Sequence, residues 1–335
     1  MKIAITTVFL PRENIYWLEE WIRYHLFHIG IDAIYLYDNT GSLKLDHLPL
    51  NKEISVALSG KNLRGENVAS FTAHLSDADI QSILNKIIDK YHDRVCVVPW
   101  HPVDKQGTPC YGQIESYQHF LGHYGNLFDW VCLTDIDEFI TNTDLREKVT
   151  SFEKCGFNDI IIHPKLFTQR FGPSGPFVPM LSITDGIENI TDRYWKRIVK
   201  CSETIRPSVH QGGEWRGGWK PLFDTGLVFH HYKIGPWCYQ KMRNEIAFCP
   251  KTLRVATDES LKKVIPTLLL EQNIFVPLPA DTVSFKSEPR TITLPQTSLF
   301  LKLRNAKEYF VLCAIFRFRF IGTIWYHLKG KFLYS

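Results

Sequence analysis

The hydrophobic positions of the N-terminal region keep two rhythms. Residues Ile3-Ala4-Ile5-Thr6-Thr7-Val8-Phe9 form a short, nearly continuous apolar run, the pattern of a strand covered on both faces. Ile15, Leu18, Ile22, Leu26 and Ile29 then recur at steps of three and four, the stripe of an amphipathic helix that Pro11 can open and Gly30 can close. Ala33–Tyr37 predicts a second strand, ended by the turn residues Asp38-Asn39-Thr40-Gly41-Ser42. Ser76 and Asp79 suggest a helix start, and Ile80, Ile83, Leu84, Ile87, Ile88 and Tyr91 give that helix one apolar face. Strands follow at Val95–Val98, at Trp130–Thr134 and around Ile160–Ile162, with a helix predicted over Gln113–Tyr124. Strands alternating with helices imply an α/β fold with a mostly parallel central sheet flanked by helices. From Phe167 to Tyr232 the rhythm weakens, and the many Gly, Pro and Trp residues read as binding loops.

In a parallel sheet, ligands bind beyond the carboxyl ends of the strands. That rule puts Asp38 and the segment Asp135-Ile136-Asp137-Glu138-Phe139 at one rim. Two aspartates one residue apart at a strand end can reach the same point. Hard divalent cations, Mn²⁺ or Mg²⁺, take such carboxylate oxygens and keep positions open for substrate phosphates. Lys196, Arg197 and Lys200 form a basic run suited to gripping a departing diphosphate, or simply to facing water. Trp215 and Trp219, in a glycine-rich stretch, are candidates for stacking on a sugar ring.

Several of these segments together resemble glycosyltransferase family 92 and its bacterial relatives. Trp130-Val131 followed by Asp135–Phe139 is similar to that family's "WV…D-x-DEF" core, and Leu18-Glu19-Glu20-Trp21 with Tyr24-His25 is similar to its "LEEW…YH" helix. Tyr35–Asn39, Phe171-Gly172-Pro173-Ser174-Gly175, Lys196–Lys200, Val209-His210 and His231-Tyr232 follow in the family's order, so the likeness covers roughly residues 3–245. It implies a glycosyltransferase A-type (GT-A) fold over residues 1–290 and a nucleotide-sugar donor, with a UDP-sugar favoured by analogy. Asp38 and Asn39 would then contact the nucleoside, while Asp135 and Asp137 would bind the metal with the diphosphate. His231 would complete the metal shell, with His210 and His230 as alternatives. The family is similar to inverting transferases, which need a carboxylate base, and Glu214 and Asp224 are the candidates. Where relatives carry a basic-Asn-Glu triplet, this chain has Arg12-Glu13-Asn14, so the glutamate's role does not transfer to Glu13.

Charge adds one feature. The net charge is +4, yet seven basic residues beyond Phe300 face a single acid, Glu308, so the rest of the chain is near neutral. That speaks against a nucleic-acid partner. Within residues 291–335, the stretch Tyr309–His327 is rich in Phe, Ile and Leu but is interrupted by Arg317 and Arg319. Residues 291–335 are expected to be a helical, basic amphipathic segment lying on an anionic membrane surface, because arginines at mid-span are costly in lipid. Eight scattered cysteines with no CxxC pair, and an N-terminus that runs straight into a strand, point to a cytoplasmic protein, peripheral on the inner face of the membrane. The expected activity is hexosyl transfer to a glycan or lipid-linked acceptor in polysaccharide biosynthesis. A nucleotidyltransferase using the same acidic site, and a non-catalytic carbohydrate-binding protein on this fold, are the alternatives.

Overall fold

The computed structural model describes residues 1–39, 77–107, 110–167, 181, 185–187, 195–210, 212–232 and 255–265. Ser76, Gln211, residues 171–175, the tail 291–335 and the Glu13 side chain lie outside the described residues.

Strand β1 (Ile3–Phe9) is buried at every position, as its nearly continuous apolar run predicts. Helix α1 (Pro11–Arg23) follows with Pro at its start and continues as a π-helical turn over Tyr24–Ile29, which ends on Gly30 at φ 79°. Only glycine adopts that left-handed cap without strain. Next come β2 (Ala33–Asp38), α2 (Asp77–Lys90), β3 (Val95–Pro99), α3 (Gln113–His123) and β4 (Trp130–Leu133). These four strands are mutually parallel in the order β3-β2-β1-β4. The alternation of side chains along them separates two apolar layers. Ile3, Ile5, Ile34, Leu36 and Cys132 pack with α1 and α2, whereas Ala4, Val8, Tyr35, Tyr37, Val131 and Leu133 pack with Tyr117 and Phe120 of α3. Helices therefore cover both faces, as expected for this α/β class.

Beyond β4 the sheet becomes mixed. After β5 (Glu138–Ile140) and α4 (Leu145–Lys154) come β6 (Asp159–Phe167), the short β7 (Asp185–Ile187) and β8 (Lys196–Lys200). Strand β8 runs antiparallel between β4 and β6. A hairpin of β9 (Thr204–Pro207) and β10 (Gly213–Trp215) leads to β11 (Pro221–Leu222) and β12 (Val228–Tyr232), and β13 (Val255–Thr257) pairs with β7. The stretch read from sequence as irregular thus holds five strands between residues 196 and 232. Each is two to five residues long, too short to display a period. The described cysteines, Cys96, Cys110, Cys132, Cys155 and Cys201, are free thiols. Among the described residues no helix is long and apolar enough to cross a membrane.

One buried group makes stability depend on pH. His25 has no exposed surface; its Nδ1 lies 2.9 Å from the Trp21 carbonyl, and its Nε2 accepts the Ile140 N–H at 3.3 Å. Since a carbonyl can only accept and an amide N–H only donate, the ring is neutral with its proton on Nδ1. Burial lowers its pKa to about 3, opposed by the bond to Trp21 and reinforced by nearby His28. The unfolded chain takes up this proton below pH 6.5 and the folded chain does not. The His25 contribution is therefore constant above pH 6.5 and is lost as pH falls from there toward 3. At pH 5 the loss is expected to be roughly 2 kcal/mol. Buried His230, lowered to about 4, adds to it in the same sense. Urea unfolding at pH 7.5 and pH 5.0 measures the sum, and equal stabilities at the two values would contradict it.

Candidate functional site

The order β3-β2-β1-β4 reverses direction between β1 and β4, and a crevice opens outside the carboxyl ends of strands at such a point. Strand β4 enters that crevice with Thr134 to Asp137, then turns back into β5. Glu138 closes the turn: its Oε2 accepts the Asp135 N–H at 2.9 Å, and its own N–H donates to the Asp135 carbonyl at 3.1 Å. Strand β12 then pairs antiparallel with β5, setting His231 opposite Glu138, and the Tyr232 N–H donates to the Asp137 carbonyl at 2.8 Å.

Three side chains meet there. His231 Nε2 stands 3.3 Å from Asp137 Oδ2, and its Nδ1 stands 3.8 Å from Glu138 Oε1. One ligand atom from each of Asp137, Glu138 and His231 lies within 4.8 Å of the others. Glu138 is fully buried, and its Oε1 has no hydrogen-bond partner among the described residues. Burial raises the Glu138 pKa, with Lys196 acting against it and Asp135 with it. Asp137 is 19 % exposed and His231 13 %, so the group opens to solvent on one side.

Asp135 is held differently. Its Oδ1 accepts from Gln113 Nε2 and its Oδ2 from Lys196 Nζ, each at 2.6 Å. Lys196 is nearly buried and also lies 3.4 Å from Glu138 Oε1. Burial alone would lower the lysine pKa, but the Asp135 and Glu138 carboxylates more than offset this and raise it. Two carboxylates, Asp135 and Glu138, thus flank one ammonium, while Asp137 faces His231. Two carboxylates and one imidazole, with Glu138 Oε1 making no hydrogen bond among the described residues, form a donor set that could hold a divalent metal ion.

The remaining sequence candidates are placed apart from this group. Arg197, the strand neighbour of Lys196, points to the opposite face and has no exposed surface. Its Nε donates to Asp159 Oδ1 at 3.0 Å, its Nη2 pairs with Asp159 Oδ2, and its Nη1 donates to the Ser208 and Gly212 carbonyls at 3.1 and 2.6 Å. The expectation that it grips phosphate is corrected: it anchors the β9–β10 hairpin. Asn39 is also fully buried, donating through Nδ2 to the Tyr111 carbonyl at 3.0 Å and through its backbone N–H to that of Phe9 at 3.1 Å, so it ties the ends of β1 and β2 to the segment before α3. Asp38 ends β2 at the rim, half-buried. His230 faces away from Asp137, packed on Phe167 at 4.3 Å and 3.6 Å from Asp258. His210 Nδ1 lies 2.9 Å from the Trp195 carbonyl. Of the three histidines, His231 is the one beside Asp137.

Neither expected base stands with the cluster. Glu214 is exposed on β10, opposite Arg206. Asp224 is exposed between Leu222, beside Ile160, and Val228, beside His163. His231 pairs with Leu166, three residues further along β6, or about 10 Å away at a strand's rise. Trp215 is half-buried with its ring 5.4 Å from the Arg197 guanidinium, whereas Trp219 remains 41 % exposed and donates to Asp159 at 2.6 Å. The hairpin depends on Gly213, whose φ is 129° and where a Cβ would stand 2.5 Å from the Arg206 carbonyl oxygen. Gly213→Ala is expected to cost roughly 1–3 kcal/mol and to open the hairpin to proteolysis first. An unchanged melting temperature would contradict this.

In the sequence Glu138 reads as a residue flanking the two aspartates, and nothing there singles out Gln113. The signal for Glu138 was present in Glu138-Phe139-Ile140, a three-residue strand in which a charged position must find buried partners.

No protein-family model matches the sequence, and no curated protein matches it. Among solved structures, the chain is similar to a structure of S. aureus TarS residues 1–349, at 12% identity and TM-score 0.32, over 81% of this chain and 71% of that one. A second S. aureus TarS structure is similar at 11% identity and TM-score 0.32, over 80% of this chain. The match spans 43% of that longer TarS chain. A likeness this loose leaves the chemistry to the residues themselves.

Proposed function

We propose that the chain is a metal-dependent glycosyltransferase that moves a hexosyl group from a nucleotide-diphosphate sugar to a glycan or lipid-linked acceptor. The observation that carries this reading is the meeting of Asp137, Glu138 and His231 within 4.8 Å at the carboxyl-end rim of the sheet. These three residues would hold Mn²⁺ or Mg²⁺. When bound, such an ion supplies positive charge to a diphosphate leaving group. The chain's own residues orient that site. Lys196 and Gln113 fix the Asp135 carboxylate, Glu138 closes the turn, and Asp38 stands at the same rim on the nucleoside side. A UDP-sugar is the donor class to try first.

Donor hydrolysis across a panel of nucleotide sugars, with and without Mn²⁺, tests the reading. Release of nucleotide from one donor, dependent on the metal, is the expected result. Calorimetry showing no metal-dependent binding of any donor would sink it. The nucleotidyltransferase alternative lacks support at the β1–α1 junction, which passes through Leu10-Pro11 with no glycine-rich phosphate loop. Pyrophosphate release from a nucleoside triphosphate and a sugar phosphate would revive it.

A further inference from the structure

Strand β5 has two edges. Phe139 and the flanking positions Asp137 and Thr141 turn their main-chain groups toward β12: the Thr141 N–H donates to the Val228 carbonyl at 2.9 Å, and the Asp137 carbonyl accepts from Tyr232. By the two-residue period of a strand, the groups of Glu138 and Ile140 face the other way. Among the described residues no strand lies along that edge, and buried main-chain groups left unpaired are costly. Helix side chains fill the gap. Trp21 Nε1 donates to the Glu138 carbonyl at 2.8 Å, Tyr24 Oη donates to the Ile140 carbonyl at 2.7 Å, and His25 Nε2 accepts the Ile140 N–H at 3.3 Å. All three side chains are fully buried, and their spacing of three and four residues sets them on one face of the helix. Their rings continue into Phe139, 5.1 Å from Tyr24 and 5.7 Å from His25, and from Phe139 to Tyr232 at 5.3 Å.

Apolar packing alone would hold a helix against a strand without choosing the strand's position along its own axis. Three directed hydrogen bonds do choose it. A shift of β5 carries Asp137 and Glu138 directly, and it carries His231 through the β5–β12 ladder. We propose that Trp21, Tyr24 and His25 are positioning residues for the metal shell, taking up the outer main-chain groups of β5 and fixing where Asp137, Glu138 and His231 meet. This rests on the metal-site reading above. It gives the Trp21–Tyr24–His25 pattern a role in ligand geometry beyond core filling, since partners that orient metal ligands commonly change affinity by about 10–100-fold when lost.

The test is Mn²⁺ titration by calorimetry at a temperature where every variant is folded. Trp21→Phe keeps a buried ring and deletes the bond to Glu138, and its Mn²⁺ dissociation constant is expected to rise about 10-fold. Tyr24→Phe deletes the bond two residues further along β5 and is expected to give a smaller rise. Ile22→Val, which thins the packing of the same helix without touching the β5 main chain, should lower the melting temperature while leaving Mn²⁺ affinity unchanged. Wild-type affinity in Trp21→Phe would overturn the proposal, as would an equal loss in Ile22→Val. If Trp21→Phe does not fold, unchanged affinity in Tyr24→Phe overturns it instead. Folded wild-type protein that binds no Mn²⁺ would overturn the metal reading and this inference with it, whereas wild-type binding with indifferent variants would overturn the inference alone.

Discussion

Replacing Asp137 with alanine is expected to raise the Mn²⁺ dissociation constant by at least about 100-fold, and to lower metal-dependent turnover in proportion. The variant removes the more solvent-open carboxylate of the cluster and leaves His231 facing only Glu138. The fold should survive, because the Asp137 bond to Tyr232 is made by its main-chain carbonyl. Asp135→Ala should behave in the opposite way. Asp135 is tied to Lys196 and Gln113 rather than to His231, so its loss leaves a nearly buried ammonium with Glu138 as its remaining carboxylate. Stability should fall by a few kcal/mol while metal affinity changes far less. Calorimetry and thermal melts on the two variants separate these outcomes. If the variants lost metal affinity equally, the separate placements of the two aspartates would carry no functional meaning.

The second large effect concerns Arg197. Arg197→Met is expected to cost about 3–5 kcal/mol, because it leaves the Asp159 carboxylate buried without its partner and frees the Ser208 and Gly212 carbonyls. Pairing it with Asp159→Leu should recover much of the loss, since a buried ion pair replaced by apolar side chains of similar volume is often neutral. Denaturant unfolding of the single and double variants measures both steps. A single variant with wild-type stability but weaker donor binding would return Arg197 to the phosphate-gripping role expected from sequence.

That reversal illustrates what the sequence could and could not reveal. Helices α1 and α2 and the strands β1 to β4 were legible because each is long enough, or apolar enough, to show its period. The shared rim of Asp38 and Asp135–Asp137 followed from them. Strand β8 was not legible, and with it went the distinction between Lys196 and Arg197. Adjacent residues of a strand face opposite sides, so their roles depend on a register that no local pattern supplies. The same holds for His230 and His231, separated only by the pairing of β12 with β5. Glu214 and Asp224 are candidate bases in the sequence, whereas the register of β10 and β12 sets them elsewhere.

The pairing of β5 with β12 also bears on the order in which the molecule assembles. It joins Glu138 to His231, 93 residues apart in sequence, and β5 has no other strand partner among the described residues. Contacts distant in sequence close after the local helices have formed. A cation held by groups from both strands would then find its site only near the native state. Saturating Mn²⁺ should accordingly slow unfolding far more than it speeds refolding, and the metal would act as a kinetic latch on the finished fold.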